Sequence, residues 1–148
     1  MLIYLDNCCY NRPFDDQMQN KVVLETEAIF AILEMCKKRK DWIIVGSDVV
    51  IDEMSENNNP LKRQKVFLLY RSASIHIDLD DEIVMRAKEF GMFGVEPFDA
   101  MHLASAERAN ANVLLTTDVK FIKKAKRTNA KVRVENPLIW ILEVMNVG

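Results

Sequence analysis

The stretch Pro97-Phe98-Asp99-Ala100-Met101-His102-Leu103-Ala104-Ser105-Ala106, followed after a short polar break by Val113-Leu114-Leu115-Thr116-Thr117-Asp118, decides how the rest of this 148-residue chain is read. Pro97 suits the first turn of a helix, where its missing N–H removes no bond, and Asn110 or Asn112 suits the close of that helix. Ala100, Met101, Leu103, Ala104, Ala106 and Ala109 leave it apolar or small on nearly every side, as expected of a helix packed against a sheet. Val113-Leu114-Leu115 reads as a short buried strand, with Asp118 past its carboxyl end, where open α/β sheets gather their ligands. Asp99, near the positive end of the helix, and Asp118 are therefore expected to meet at that edge.

Working outward, Leu2-Ile3-Tyr4-Leu5 is a continuous apolar run that predicts a strand covered on both faces, ended by Asp6-Asn7. After a polar loop, helical spacing runs from about Asp16 to Arg39 through Val22, Glu25, Ile29, Ile32 or Leu33, and Cys36. Trp42-Ile43-Ile44-Val45 predicts a second strand, and Gly46-Ser47 a turn into an N-cap. The helix from Asp48 carries Glu53 on the same face as Val49 and Val50. Pro60 opens a further helix, Ile75-His76-Ile77 reads as a weaker third strand, and Asp80 caps a helix through Phe90 that stops at Gly91. Met92 and Phe93 lie in the loop that follows. A basic helix is expected from Asp118 to about Lys126, then an edge strand at Val132-Arg133-Val134 and a last helix opened by Asn136-Pro137. The first four strands are separated by roughly 30–40 residues, the scale of βαβ units, which predicts an α/β fold with a parallel sheet.

With 49% apolar and 28% charged residues, the composition is that of a globular protein and not of a disordered or fibrous one. Residues 1–148 are expected to form a single domain. No apolar run is long enough to span a bilayer, and the N-terminus lacks the charged start and cleavage site of a signal peptide, so a cytoplasmic location without membrane contact is expected. Cys8, Cys9 and Cys36 support neither a disulfide framework nor a zinc-ligand spacing. Charge is distributed unevenly. Between Asp118 and Arg133 seven basic residues face Asp118 alone, so the remainder of a chain of net charge −2 must carry −8. Such a segment, with Lys120, Lys123 and Lys124 at its start, is either a solvated helix face or a phosphate-contacting surface.

Asp6, Asp99 and Asp118 all fall at strand or helix ends on the expected carboxyl edge, and Glu53 lies on a helix that begins there. Four converging carboxylates repel one another unless a cation compensates them. Hard oxygen ligands suit Mg²⁺ or Mn²⁺, and such a centre can activate water and stabilise displacement at a phosphodiester. Singly, each acid reads equally as a helix cap or first-turn residue. His102, one turn after Asp99, is read as a hydrogen-bonded structural histidine outside the metal set. Cys8 has no histidine placed beside it to make it a nucleophile. A dinucleotide-binding enzyme would need a glycine-rich turn after the first strand, and a haloacid-dehalogenase-like phosphatase a second acid where Cys8 stands.

Tyr4-Leu5-Asp6-Asn7, Ser47 followed by Glu53, Phe98-Asp99 followed by Leu103-Ala104 and Ala106, and Leu115-Thr116-Thr117-Asp118 followed by Phe121 together resemble the PIN-domain nucleases, over nearly the whole chain and in order. The resemblance implies a three-layer α/β/α domain with a central parallel sheet and a metal-dependent endoribonuclease cleaving single-stranded RNA. Asp6, Glu53, Asp99 and Asp118 would surround Mg²⁺ or Mn²⁺, with Asn7 and Thr117 orienting water, phosphate or a carboxylate from behind. Size resembles the VapC-like toxins of toxin–antitoxin pairs, which implies a homodimer and an antitoxin partner. Those toxins often begin Asp-Thr-Asn, whereas this chain has Asp6-Asn7-Cys8-Cys9. The competing expectation is a non-catalytic PIN-like module that binds RNA or protein.

Overall fold

The computed structural model describes residues 1–146. Five parallel strands, β1 (Leu2–Leu5), β2 (Ile43–Ser47), β3 (Ala73–Ile77), β4 (Val113–Leu115) and β5 (Arg133–Glu135), form one sheet in the order β3-β2-β1-β4-β5. The helices are α1 (Asn7–Asn11), α2 (Asn20–Lys38), α3 (Asp48–Ser55), α4 (Pro60–Tyr70), α5 (Asp81–Gly91), α6 (Pro97–Arg108), α7 (Val119–Ala125) and α8 (Pro137–Met145), with a 3₁₀ turn at Arg12–Phe14. Helices on both faces give the three-layer α/β/α arrangement: α6 packs on α3 and α5 and against β2 and β4, while α2 packs on α8. The continuous apolar runs account for the central strands. Ile3, Tyr4, Leu5, Val113, Leu114 and Leu115 are all essentially inaccessible, as expected where a parallel sheet is covered on both faces.

The sheet starts in its middle. From β1 the chain moves one way to β2 and β3, then crosses back to β4 on the other side of β1, so β1 and β4 flank the topological switch point at which such sheets open a crevice. Asp6 follows β1 and donates its N–H to Leu115 O at the end of β4, 3.0 Å away. The residues after both strands therefore share one crevice.

Helix ends are set by side chains the sequence made visible. Ser47 Oγ accepts from Val50 N–H, Asp80 from Ile83 N–H and Asp118 from Lys120 and Phe121 N–H, each relieving an orphan donor of a first turn. Asn110, at φ 56°, closes α6: its own N–H donates to Glu107 O and that of Ala111 to Ala106 O, the paired bonds of a left-handed C-terminal cap. Some expectations change. Gly46 and Ser47, expected as a turn, are the last residues of β2, paired with His76 and Ile77 of β3. The segment after Asp6 is a short helix followed by a 3₁₀ turn, because Pro13 at the first turn of the latter interrupts hydrogen bonding without forcing a loop. Helix α2 begins at Asn20, after a turn in which Met18 N–H donates to Asp16 Oδ1.

Gly46 lets the Tyr70 ring lie directly against the second strand. A Cβ there would lie 2.1 Å from Tyr70 Oη, and that ring is itself held by a 2.7 Å hydrogen bond to His76 Nδ1. Gly46→Ala is expected to lose about 1–3 kcal/mol of stability through overpacking. Urea denaturation measures it; an unchanged midpoint would mean that Tyr70 swings aside at no cost.

Candidate functional site

At the carboxyl edge the chain gathers four acids from four elements. Asp6 follows β1, Glu53 projects from the second turn of α3, Asp99 lies in the first turn of α6, and Asp118 caps α7. Asp6 is the most buried of them, 4% exposed. A carboxylate so enclosed needs donors, and it has them. Thr116 Oγ1 donates to Asp6 Oδ2 at 2.8 Å, the Cys8 thiol approaches the same oxygen at 3.4 Å, and His102 Nε2 lies 3.2 Å from Asp6 Oδ1. His102 Nε2 also lies within hydrogen-bond distance of Glu53 Oε1, at 2.9 Å. One oxygen each from Asp6 and Glu53 and the His102 nitrogen thus lie within 4.8 Å of one another.

Asp99 and Asp118 stand around this cluster. Asp118 Oδ1 is fixed by the N–H groups of Lys120 and Phe121, at 2.9 and 3.2 Å, so the capping role and proximity to the other acids coexist. Asp99 senses its surroundings most strongly. Burial, then the facing charges of Asp6 and Asp118, push its pKa up to about 7, with Glu53 adding to the rise and His102 opposing it. His102 is fully buried, which disfavours its charge, yet Asp6 and the hydrogen-bonded Glu53 outweigh burial and raise its pKa.

Not every sequence expectation lands at the cluster. Asn7 Oδ1 accepts from Asn11 Nδ2, and Thr117 presents its backbone N–H to Cys8 Sγ; the hydroxyl that reaches a carboxylate is that of Thr116. The displacement by one residue follows from alternation past a strand end, where neighbouring side chains face opposite ways. Lys120 and Lys123 are exposed, while Lys124 Nζ is 3.3 Å from Glu96 Oε1. Tyr4, Ser47 and His102 line the buried back of the site. His102 carried a signal in its spacing, since i and i+3 share a helix face, but Tyr4 and Ser47 read as ordinary strand and capping residues.

The donor set fits a hard divalent cation: carboxylate oxygens dominate, they are close enough to share one ion, and Asp99 reports unbalanced negative charge at the spot. The Asp6 and Glu53 oxygens are the nearest pair for holding it.

Residues 22–127 match the family model of the PIN domain. The chain belongs to the PIN domain family. Among solved structures, its fold is similar to that of VapBC2 from Rickettsia felis bound to a DNA fragment from their promoter, with a TM-score of 0.61, 20% identity, and coverage of 92% of this chain and 98% of that one. It is also similar to PAE2754 from Pyrobaculum aerophilum, with a TM-score of 0.57, 14% identity, and coverage of 100% of this chain and 91% of that one. At these identities the likeness is one of fold. No curated protein matches the chain by sequence.

The raised pKa of Asp99 has a definite sign in stability. The folded protein keeps a proton that the unfolded chain releases, so this contribution is present below about pH 4 and is lost as pH rises through about 7. The urea midpoint of the metal-free protein is expected to fall across that window and Asp99→Asn to flatten the fall; the raised pKa of His102 acts with the same sign only above its unfolded value of about 6.5. A variant whose midpoint falls as steeply as the wild type would place the retained proton elsewhere.

Proposed function

We propose that residues 1–148 form one PIN unit acting as a Mg²⁺- or Mn²⁺-dependent endoribonuclease that hydrolyses phosphodiester bonds in single-stranded RNA. The observation that carries this reading is the approach of Asp6, Glu53 and His102 to within 4.8 Å at one crevice, with Asp99 and Asp118 beside them: burial, and then the charges of Asp6 and Asp118, push the Asp99 pKa up to about 7. A module that only bound a polyanion would gain nothing from so concentrated a negative pocket.

Asp6 and Glu53, with Asp99 and Asp118 beside them, would hold the metal ion, which when bound supplies an activated water and neutralises charge developing on the phosphoryl group. The protein's own part is orientation. Thr116 and His102 fix the two oxygens of Asp6, and His102 fixes one oxygen of Glu53, so neither acid must reorganise when substrate arrives. Asp99, whose pKa burial and the neighbouring acids raise to about 7 without metal, is the acid whose charge a bound cation would relieve most. Lys120 and Lys123, exposed on α7 directly after Asp118, offer cations to the phosphates of a strand entering the crevice, and Lys124 adds a third when it leaves Glu96.

Similarity of fold to VapBC2 supports the further reading that the chain is the toxin of a toxin–antitoxin pair with an antitoxin as partner, and a homodimer is its working state in this proposal. Exposed apolar residues agree with this: Met92 is 87% and Phe93 47% exposed, and Ile139, Leu142 and Met145 stand outward on α8. Among the described residues no helix is long and apolar enough to cross a membrane, in keeping with a cytoplasmic enzyme.

Purified protein is expected to cleave single-stranded RNA with Mg²⁺ or Mn²⁺ and to stop with EDTA. Asp6→Asn and Asp99→Asn should each reduce cleavage by several orders of magnitude while Cys8→Ala leaves it active. Cleavage that survives chelation, or two acid variants as active as the wild type, would overturn the mechanism.

Replacing Lys120 and Lys123 with Ala should weaken RNA binding and lower the slope of log affinity against log salt by about one to two units, measured by fluorescence anisotropy with metal present. Unchanged affinity and slope would return α7 to a solvated face.

A further inference from the structure

A buried line of polar groups runs into the acidic cluster from behind. Val50 N–H donates to Ser47 Oγ at 3.2 Å; Ser47 Oγ lies 2.6 Å from Tyr4 Oη; Tyr4 Oη lies 2.7 Å from His102 Nδ1; and His102 Nε2 lies 2.9 Å from Glu53 Oε1 and 3.2 Å from Asp6 Oδ1. Ser47, Tyr4 and His102 have no measurable exposure, so water cannot complete or redirect this line. The Tyr4 and His102 rings also meet edge to face, 5.7 Å between centroids.

Both ends of the line have fixed polarity. A backbone N–H only donates, and ionised carboxylates only accept, so His102 Nε2 must carry hydrogen to satisfy Glu53 and Asp6. In a neutral imidazole Nδ1 is then an acceptor, Tyr4 donates its hydroxyl to it, and Ser47 donates to Tyr4. Every hydrogen in the line has an acceptor. The opposite direction would place hydrogen on Nδ1, turn the Tyr4 hydroxyl toward Ser47, and leave the Ser47 hydrogen with no acceptor in the line. It would also strip Nε2 of the hydrogen its carboxylate neighbours require.

We propose that the Ser47–Tyr4 line locks His102 with hydrogen on Nε2, making it a positioning residue that clamps Asp6 and Glu53 side by side and never a metal ligand. Although three donor groups lie within 4.8 Å, the ion is left to oxygen. A nitrogen bearing hydrogen has no lone pair to give, and the hydrogen bonds it makes set the direction of the carboxylates instead. Selectivity follows: an oxygen-only centre favours Mg²⁺ and Mn²⁺ over zinc-like ions, which prefer imidazole. The statement about metal rests on the nuclease reading above; the statement about the hydrogen does not.

The test is long-range ¹H–¹⁵N spectroscopy of the imidazoles in the full chain at alkaline pH. The sequence has two histidines, so His76→Gln leaves the His102 signals alone in the spectrum. Metal-free protein is expected to show hydrogen on Nε2, and saturating Mg²⁺ to leave it there; Tyr4→Phe, which removes the donor to Nδ1, should give a mixture of tautomers. Hydrogen on Nδ1 in the metal-free protein, or its transfer to Nδ1 on adding Mg²⁺, would overturn the assignment. Calorimetry with Mn²⁺ reads the clamp: His102→Ala should weaken affinity by about tenfold or more, and His102→Gln, whose amide N–H can still donate, should recover most of it. An alanine variant that is folded by circular dichroism and binds Mn²⁺ as tightly as the wild type would remove the positioning role. Absence of Mn²⁺ heat in the wild type would defeat the metal-dependent nuclease reading, while the metal-free spectrum would still decide the tautomer.

Discussion

A carboxylate buried at the carboxyl edge of the central strand is the constraint on which the rest of the structure depends. Asp6 is 4% exposed, and an enclosed carboxylate without donors would oppose folding by several kcal/mol. Its partners arrive from three separate parts of the chain: the Thr116 hydroxyl from the end of β4 and the Cys8 thiol from α1 donate to Oδ2, and the His102 ring from α6 lies 3.2 Å from Oδ1. Each fixes a relation between elements. Thr116 ties the two strands of the switch point together, and His102 pins the long buried helix α6 to the strand edge. What looks like a catalytic detail is thus also a fastening of the sheet to its helical layer.

The same economy appears at Ser47. Its backbone ends β2, its hydroxyl oxygen caps α3 through Val50, and its hydroxyl contacts Tyr4. Capping sets where α3 starts, and therefore which of its residues faces the crevice. From that start Glu53, and not its neighbour Asp52, meets His102; Asp52 is exposed. Gly46 just before it admits the Tyr70 ring, which in turn reaches His76 on β3. A strand end, a helix start and a carboxylate's position are fixed by one pair of residues.

How much of this was legible depended on whether the information was local. Strand runs, Pro97, Asp80, Asn136 and the Asn110 close of α6 each act within a few residues, and the elements they predict are present. The four acids could be placed at one edge because parallel βαβ units put every strand's carboxyl end on the same side. What could not be read was which neighbours support them. Thr116 and Thr117 are chemically identical in sequence, and only the facing alternation at the end of β4 gives the carboxylate to the first. Tyr4 in an apolar strand and Ser47 at a helix start each had a sufficient local explanation, so nothing in their own context pointed to His102, whose position is 98 residues from Tyr4. The charge-rich segment after Asp118 was legible as a helix but not as a surface, since the Glu96 partner of Lys124 lies on a different element.

Comparing the four acids shows a division of labour built from backbone geometry. Asp6 is held by Thr116 and His102, Glu53 by His102, and Asp118 by two N–H groups of the first turn of α7. Each of these has a donor that favours a charged oxygen and fixes its direction. Asp99 differs: among the described residues no hydrogen bond reaches its carboxyl group, while burial and three neighbouring acids act against its charge and push its pKa up to about 7. Its place in the first turn of a helix, where the macrodipole favours an anion, is worth at most about 1–2 kcal/mol and does not offset those terms. Three of the acids thus have close polar partners that set their direction, and the fourth is crowded without one. Helix capping alone would be served equally well by four held carboxylates, so the asymmetry comes from the crowding of acids at the strand edge and not from the helix ends.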